Sequence, residues 1–174
     1  FSAGWVASEE SLMNWITPVV NFMKVRASWG TIGDQSVPND KYLSIMPNGQ
    51  STWIAGNGQR ANYVGSPAAV YGDIDWQNIE TKNLGLDLGF LNGKINLSAD
   101  IFERNTKNMI VPQEGIPLTF GAAAPQGNLG ALQTRGWELT VDFNHTFNNG
   151  IHMFARGNIS DARTILTDYG GSGT

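Results

Sequence analysis

The chain has no cysteine. Disulfide bridges, thiolate nucleophiles and cysteine-ligated metals are therefore excluded, although the compartment is not fixed by this. Histidine is nearly as scarce, with only His145 and His152. Charge is thin at 15% of residues, against about 25% in ordinary soluble domains. The net charge of -4 provides no basic patch for nucleic acid or for anionic lipid. No apolar run approaches the roughly 20 residues that a membrane-spanning helix requires, so a place in a membrane would have to be taken by strands. An initiator methionine, a basic leader and an apolar leader are missing too. The opening Phe1-Ser2-Ala3-Gly4-Trp5 reads as internal to a longer protein.

What the chain has is aromatics, glycine and alternation. Six Trp, eight Phe and 21 Gly stand among the 174 residues. From Trp137 to Phe147, Trp137, Leu139, Val141 and Phe143 fall on one face, and Glu138, Thr140, Asp142 and Asn144 on the other. That period of two is the signature of a strand with one apolar and one wet face. The same device recurs over Leu84–Phe90, Ile95–Ile101 and Met23–Trp29, and less cleanly over Ile151–Ile159, where Phe154 joins the side of His152 and Arg156. Phe1–Val6 reads as the end of a sixth strand.

The connections alternate between short and long. Asn92-Gly93 signals a two-residue hairpin whose central residues need positive φ, and Asn148-Asn149-Gly150 is a similar tight turn. Between them runs a longer connection, Gln113 to Thr134, and before them one of about 40 residues, Asp34 to Asp73, by the strand spacing. Ser8-Glu9-Glu10 reads as an N-cap with acids in the first turn, opening one short helix through Leu12, Met13, Trp15 and Ile16 that Pro18 stops.

Tight turns alternating with long loops is the pattern of outer-membrane β-barrels, with the short turns facing the periplasm. A soluble antiparallel sandwich gives similar alternation, but would bury its apolar faces against a second sheet. The apolar faces here are long, and their opposites carry charge, Gly and Asn. The expected fold is therefore all-β, an antiparallel transmembrane β-barrel fragment of about six meander strands. Leu86, Leu88, Leu97, Val141 and Phe143 should point to lipid and lie exposed. Six strands cannot close a membrane barrel, because the smallest single-chain barrels have about eight and an open edge in lipid strands backbone groups at several kcal/mol each.

Several segments carry a family resemblance. Asn128-Leu129-Gly130-Ala131-Leu132-Gln133-Thr134-Arg135-Gly136-Trp137-Glu138-Leu139 resembles the pattern N-(V/L)-G-x-(M/L)-x-N-(K/R)-G-(F/W)-E-(L/V), departing at Thr134 where Asn is usual. Gly4–Glu10, Lys24–Gln35, the spaced set Trp76, Thr81, Asn83 with Leu84-Gly85-Leu86-Asp87, and Asp100–Ile110 resemble further motifs in the same order. Together they resemble the SusC/RagA-type TonB-dependent outer-membrane transporters. That resemblance implies a 22-stranded barrel plugged by an N-terminal domain. Residues 1–174 would then be a partial barrel domain from its C-terminal half, without the plug and the remaining strands. It implies import of a nutrient, a glycan or oligosaccharide or else a peptide. The implied partners are a SusD-type surface lipoprotein as lid, TonB acting through a segment absent here, and outer-membrane lipid.

The sequence offers little for covalent chemistry. His145 and His152 flank a tight turn and could face each other across it, but metal sites usually need three protein ligands. Glu9-Glu10 and the pair Asp73/Asp75 read as helix-start and loop acids rather than as the paired carboxylates of a glycosidase. Gly170-Gly171-Ser172-Gly173 lacks the lysine of a phosphate loop and reads as flexible. The three Asn-x-Ser/Thr matches, at Asn96, Asn144 and Asn158, lie in or beside strands and are read as chance. No catalytic residue, metal site or cofactor is expected. Lys24, Arg26, Asp87, Asp100, Glu138 and Asp142 should face a polar lumen, either lining a substrate path or pairing with one another. Tyr42, Trp53, Tyr63 and Tyr71 are the candidate ligand-binding residues. They stand in the longest connection, where rings could stack on sugar or pack the loop upon itself. The rival functions are a soluble β-sandwich that binds carbohydrate and a secreted glycoside hydrolase domain. No segment suggests the converging carboxylates that the second would need.

Overall fold

A computed structural model of the chain describes residues 1–13, 15, 19–35, 42–56 and 58–170. Among the described residues there are eight strands. Six form one sheet in the order β1-β2-β5-β6-β7-β8, and β3 pairs with β4 alone. The strands are β1 (Ser2–Val6), β2 (Val20–Asp34), β3 (Asn48–Ile54), β4 (Arg60–Val64), β5 (Gln77–Phe90), β6 (Ile95–Pro112), β7 (Gln126–Thr146) and β8 (His152–Asp168). The sheet is the expected antiparallel meander, with the β3–β4 hairpin inserted in the connection from β2 to β5. With six strands and two edges, β1 and β8, it is an open wall and not a closed barrel.

Register fixes which residues share a face. Gly4 is opposite Arg26 and Trp5 opposite Val25. Arg26 bonds Asp87 and Asp100, and Ser98 bonds Asp87. The even residues of β2 and β6 and the odd residues of β5 therefore share the polar face. Asp142 and Arg156 bond each other, as do Thr134 and Thr164, so the even residues of β7 and β8 form a matching pair. The opposite face carries Val25, Leu84, Leu86, Leu88, Leu97, Ile101, Leu139 and Val141. At one end of this apolar band Phe1 stacks on Trp29, with ring centroids 5.6 Å apart and planes 7° apart. At the other, His145 sits edge-on to Phe147 at 4.5 Å, and the Trp5 indole donates to Glu10. An apolar band between two aromatic rows is how a barrel wall meets the two boundaries of a bilayer.

The wall has almost no core. Ala7 and Val111 are the buried apolar residues among those described. Val141 is exposed, while Leu86, Leu88, Leu97 and Phe143 are half-buried rather than fully exposed as expected. Neighbouring side chains on a pleated face stand close enough to shade one another. Among the described residues this face gathers no buried apolar core, so the sandwich reading is not favoured.

Three local expectations are corrected. In place of one helix from Ser8 there are two short 3-10 turns, Ala7–Glu9 and Ser11–Met13. Ser8 lies inside the first turn and caps nothing, its hydroxyl buried without a hydrogen-bond partner, while Ala7 is buried and Glu10 is held by Trp5. Ile16 and Pro18, which were to end that helix, lie outside the described residues, as do Gly171 to Gly173. The connection before β7 is shorter than Gln113–Thr134, because the strand starts at Gln126. Gly127 and Gly130 sit within this strand, where neighbouring side chains cover them, so glycines that read as loop are strand. The long connection contains the β3–β4 hairpin, closed by a bond from the Ala55 amide to the Gln59 carbonyl. The tight turn is as expected: Asn92 and Gly93 have φ of 57° and 79°.

The two faces make a direct test. In the full-length protein Val141→Arg should destabilise the folded barrel by about 2–4 kcal/mol near the bilayer midplane, whereas Asp142→Asn, on the wet face, should cost much less. Urea unfolding in lipid vesicles measures both. Equal losses would show that Val141 does not face lipid.

Candidate functional site

The chain divides into two compact units. One comprises Phe1–Ile32, Ile79–Thr106 and Leu132–Ile165, and the other Gly33–Asn78, Lys107–Ala131 and Leu166–Thr174. Each holds a candidate site.

In the first unit the polar face carries a network centred on Arg26. The guanidinium grips Asp87 with two bonds, Nε to Oδ2 at 2.7 Å and Nη2 to Oδ1 at 3.0 Å. The same Nη2 reaches Asp100 at 3.1 Å and Ser98 at 3.3 Å, and Ser98 donates to Asp87 at 2.7 Å. Three strands are thereby tied by one cation. Paired, geometrically ideal charges of this kind are the arrangement in which an ion pair contributes. Gly85 makes room for it: a Cβ there would lie 2.5 Å from Asp100 Oδ1 and 2.7 Å from Arg26 Nη2. Lys24, Arg26, Asn83 and Gly85 line a hollow of about 300 Å³ beside β1. The Oδ1 atoms of Asn83 and Asp100 are buried with no hydrogen-bond partner, leaving acceptors in reserve for a polar group. A second pair on this face, Arg156 to Asp142, is also double-bonded, and Arg156 lies over the Phe154 ring at 5.7 Å. Of the expected lumen residues, the structure unites Arg26, Asp87 and Asp100, puts Asp142 with Arg156, and leaves Glu138 exposed.

The second unit holds the four loop aromatics. Trp53 and Tyr42 are free, 81% and 63% exposed. Tyr63 leans over Gly49, its partner across the hairpin, an arrangement that shields a glycine in a strand. Tyr71 packs on Gly127, whose added Cβ would come within 2.8 Å of the ring. The four form no stacked pair among the described residues, so they make no single aromatic platform. Tyr63 and Tyr71 thus cover strand glycines, and Trp53 and Tyr42 stand exposed.

The residue that organises this unit is Asn128, which sequence reasoning noted only as part of a motif. Its side chain accepts from the Asp75 amide at 2.7 Å and donates to the Asp75 and Asn108 carbonyls at 2.8 and 2.7 Å. Asp75 in turn accepts from the Trp76 amide at 2.7 Å, so this acid shapes its own loop. Asn108 has a positive φ of 57°, a kink in β6 that turns its carbonyl to Asn128. The signal available in sequence was an Asn at the start of a strand, a residue whose amide imitates backbone. The two histidines are not brought together. His152 bonds Thr146 on one face and His145 lies among Phe143 and Phe147 on the other. Among the described residues no group of three His, Asp or Glu is placed to hold a metal.

A sequence model of the family described as TonB dependent receptor-like, beta-barrel matches residues 2–172. The chain belongs to this family. It is 30% identical over 142 residues to the TonB-dependent receptor SusC of Bacteroides thetaiotaomicron, covering 80% of this chain and 14% of that protein. It is 27% identical over 140 residues to the TonB-dependent receptor P39 of Formosa agariphila, covering 79% of this chain and 12% of that one. Among solved structures it superposes on the RagAB peptide transporter with a TM-score of 0.77 at 18% identity, covering 98% of this chain and 18% of the other. The chain thus spans less than a fifth of the relatives it matches, and within that span it has their fold. It is a section of the wall of an outer-membrane β-barrel of the TonB-dependent receptor family.

Two substitutions test the geometry. Gly85→Ala should destabilise the barrel by about 1–3 kcal/mol through overpacking, while Gly30→Ala, with open space around its Cβ position, should leave the unfolding midpoint unchanged. Asn128→Ala should raise hydrogen exchange at the Asp75 amide about tenfold or more, since local opening is set by local bonds. Unchanged exchange there would remove Asn128 from its organising place.

Proposed function

We propose that the chain is a section, in the C-terminal half, of the 22-stranded barrel of a plugged TonB-dependent transporter that imports an oligosaccharide or a peptide across the outer membrane. The observation that carries this reading is the two-faced wall: one face a linked set of ions with spare buried acceptors, the other an apolar band between aromatic rows. A lumen must be polar to pass a hydrated solute, and a lipid face must not be. The likeness in fold to the RagAB peptide transporter fits the peptide alternative. The free rings of Trp53 and Tyr42 fit either substrate, because they can stack on a sugar or hold an apolar side chain.

The division of labour follows from the wall. In this reading TonB acts through another segment of the full protein. A SusD-type surface lipoprotein would close over the long connections, which leave the strands at the ends opposite the tight turns. Ligand capture falls to those connections, with Trp53 and Tyr42 the contacts of choice and Tyr63 and Tyr71 holding their surroundings in shape.

Deleting the hairpin 48–64 from the full-length protein should reduce uptake of labelled oligosaccharide or peptide several-fold, with the barrel still inserted in the outer membrane. Trp53→Ala alone should weaken capture about tenfold, the usual scale for an aromatic anchor. Uptake at the normal rate would make the hairpin dispensable. Loss of the barrel from the membrane would make it structural.

A further inference from the structure

The lipid face is not apolar throughout. Counting β5–β6 register from the Asp87–Ser98 bond places Lys82 opposite Glu103. On β7 Arg135 bonds Glu103, Nε to Oε2 at 2.7 Å. Counting β7–β8 register from the Thr134–Thr164 bond places Arg163 opposite Arg135. Lys82, Glu103, Arg135 and Arg163 therefore form one row across four strands. They lie on the face of Leu84 and Ile101, at the end of the apolar band from which the strands run on to the long connections.

Three features of this row point to an anion. The row carries three cations and one acid, within a chain whose net charge is -4. Arg135 and Arg163 face each other directly on adjacent strands, a placement that repels unless a counter-charge lies between, and Arg163 makes no ion pair among the described residues. Glu103 takes only the Nε of Arg135, so it steadies the guanidinium and leaves the terminal amino groups open, with the side chain 66% exposed. Lys82 contacts Glu80 at 3.3 Å but remains 53% exposed.

Immediately beside the row is a shallow, mainly apolar groove of about 410 Å³, lined by residues 82–84, 101–103, 135 and 136. A cationic rim over an apolar groove matches an amphiphile with an anionic head. We propose that this row binds the phosphate headgroup of a phosphorylated outer-leaflet lipid, with an acyl chain lying in the groove over Leu84 and Ile101. Arginine suits the head because its fork matches two phosphate oxygens. The outer leaflet follows from the long connections, which belong to the outer surface in this architecture. The site is separate from the lumen, and its test does not depend on which solute is carried.

The test uses the full-length protein in detergent micelles, with retained lipid counted by native mass spectrometry. The probes are phosphatidic acid, phosphatidylcholine and inorganic phosphate. Phosphatidic acid should bind more tightly than phosphatidylcholine, and the double variant Arg135→Gln/Arg163→Gln should bind it about tenfold or more weakly. Lys24→Gln, on the lumen face, should leave binding unchanged. Circular dichroism checks that each variant keeps its strands. If the double variant fails to fold, Arg163→Gln alone should still weaken binding, since that side chain ties no strand to another. Equal binding of the two lipids would overturn the proposal, as would undiminished binding by the variants. Displacement of the lipid by inorganic phosphate at equal affinity would overturn it too, in favour of a free-anion site without a use for the groove.

Discussion

A strand in hydrocarbon has no water to bond its amides and carbonyls, and each group left unpaired costs several kcal/mol. Everything else in this chain follows from meeting that demand through neighbouring strands. The meander pairs each strand of the six-stranded sheet with the next strand of that sheet along the chain, directly through tight turns at Asn92-Gly93 and Asn149-Gly150 and through longer connections elsewhere. With main-chain bonding settled this way, side chains are released from building an interior. Ala7 and Val111 are nearly all that is buried of the apolar side chains described, and yet the chain is rich in aromatic and aliphatic residues. Their partner is lipid.

The same pairing sets the character of the other face. A wet lumen tolerates charge, but charge in a wall still has to be ordered. Arg26 does this by tying β2 to β5 and β6 through Asp87 and Asp100, and Gly85 supplies the space. Network and glycine depend on each other across strands, so neither has meaning in its own segment. The second unit shows the same economy. Asn128 replaces backbone bonds that the loop around Asp75 could not make alone. Tyr71 and Tyr63 spread over glycines that would otherwise leave gaps in strands.

The family relationship is coherent with this physics. The chain matches relatives at 27% to 30% identity, and a solved structure at 18% identity shares its fold. A wall tolerates wide substitution on its lipid face, where any apolar residue of modest size will do. It tolerates less at joints such as Asn128 and Gly85, where a particular shape or a particular absence of side chain is required.

What the sequence determined by itself was whatever is local and periodic. Alternation gave the strands and assigned Leu97 and Val141 to one face and Asp87 and Asp142 to the other, because a strand's side chains change sides at every residue. Asn92-Gly93 gave its turn, because both residue types take positive φ readily, whereas the positive φ of Leu91 beside them had no such local signal. The hairpin in the long connection and the start of β7 were hidden, since glycine lowers strand signal wherever its cover comes from elsewhere in the chain. Pairing across strands was decided by tertiary structure. Only register joins Arg26 to Asp87, 61 residues on, or parts His145 from His152 to opposite faces. The net charge of -4 spoke against any site for anionic lipid, yet register gathers Lys82, Arg135 and Arg163 into one row. Overall charge sums over the whole chain, whereas an anion meets only the few groups that the sheet places side by side.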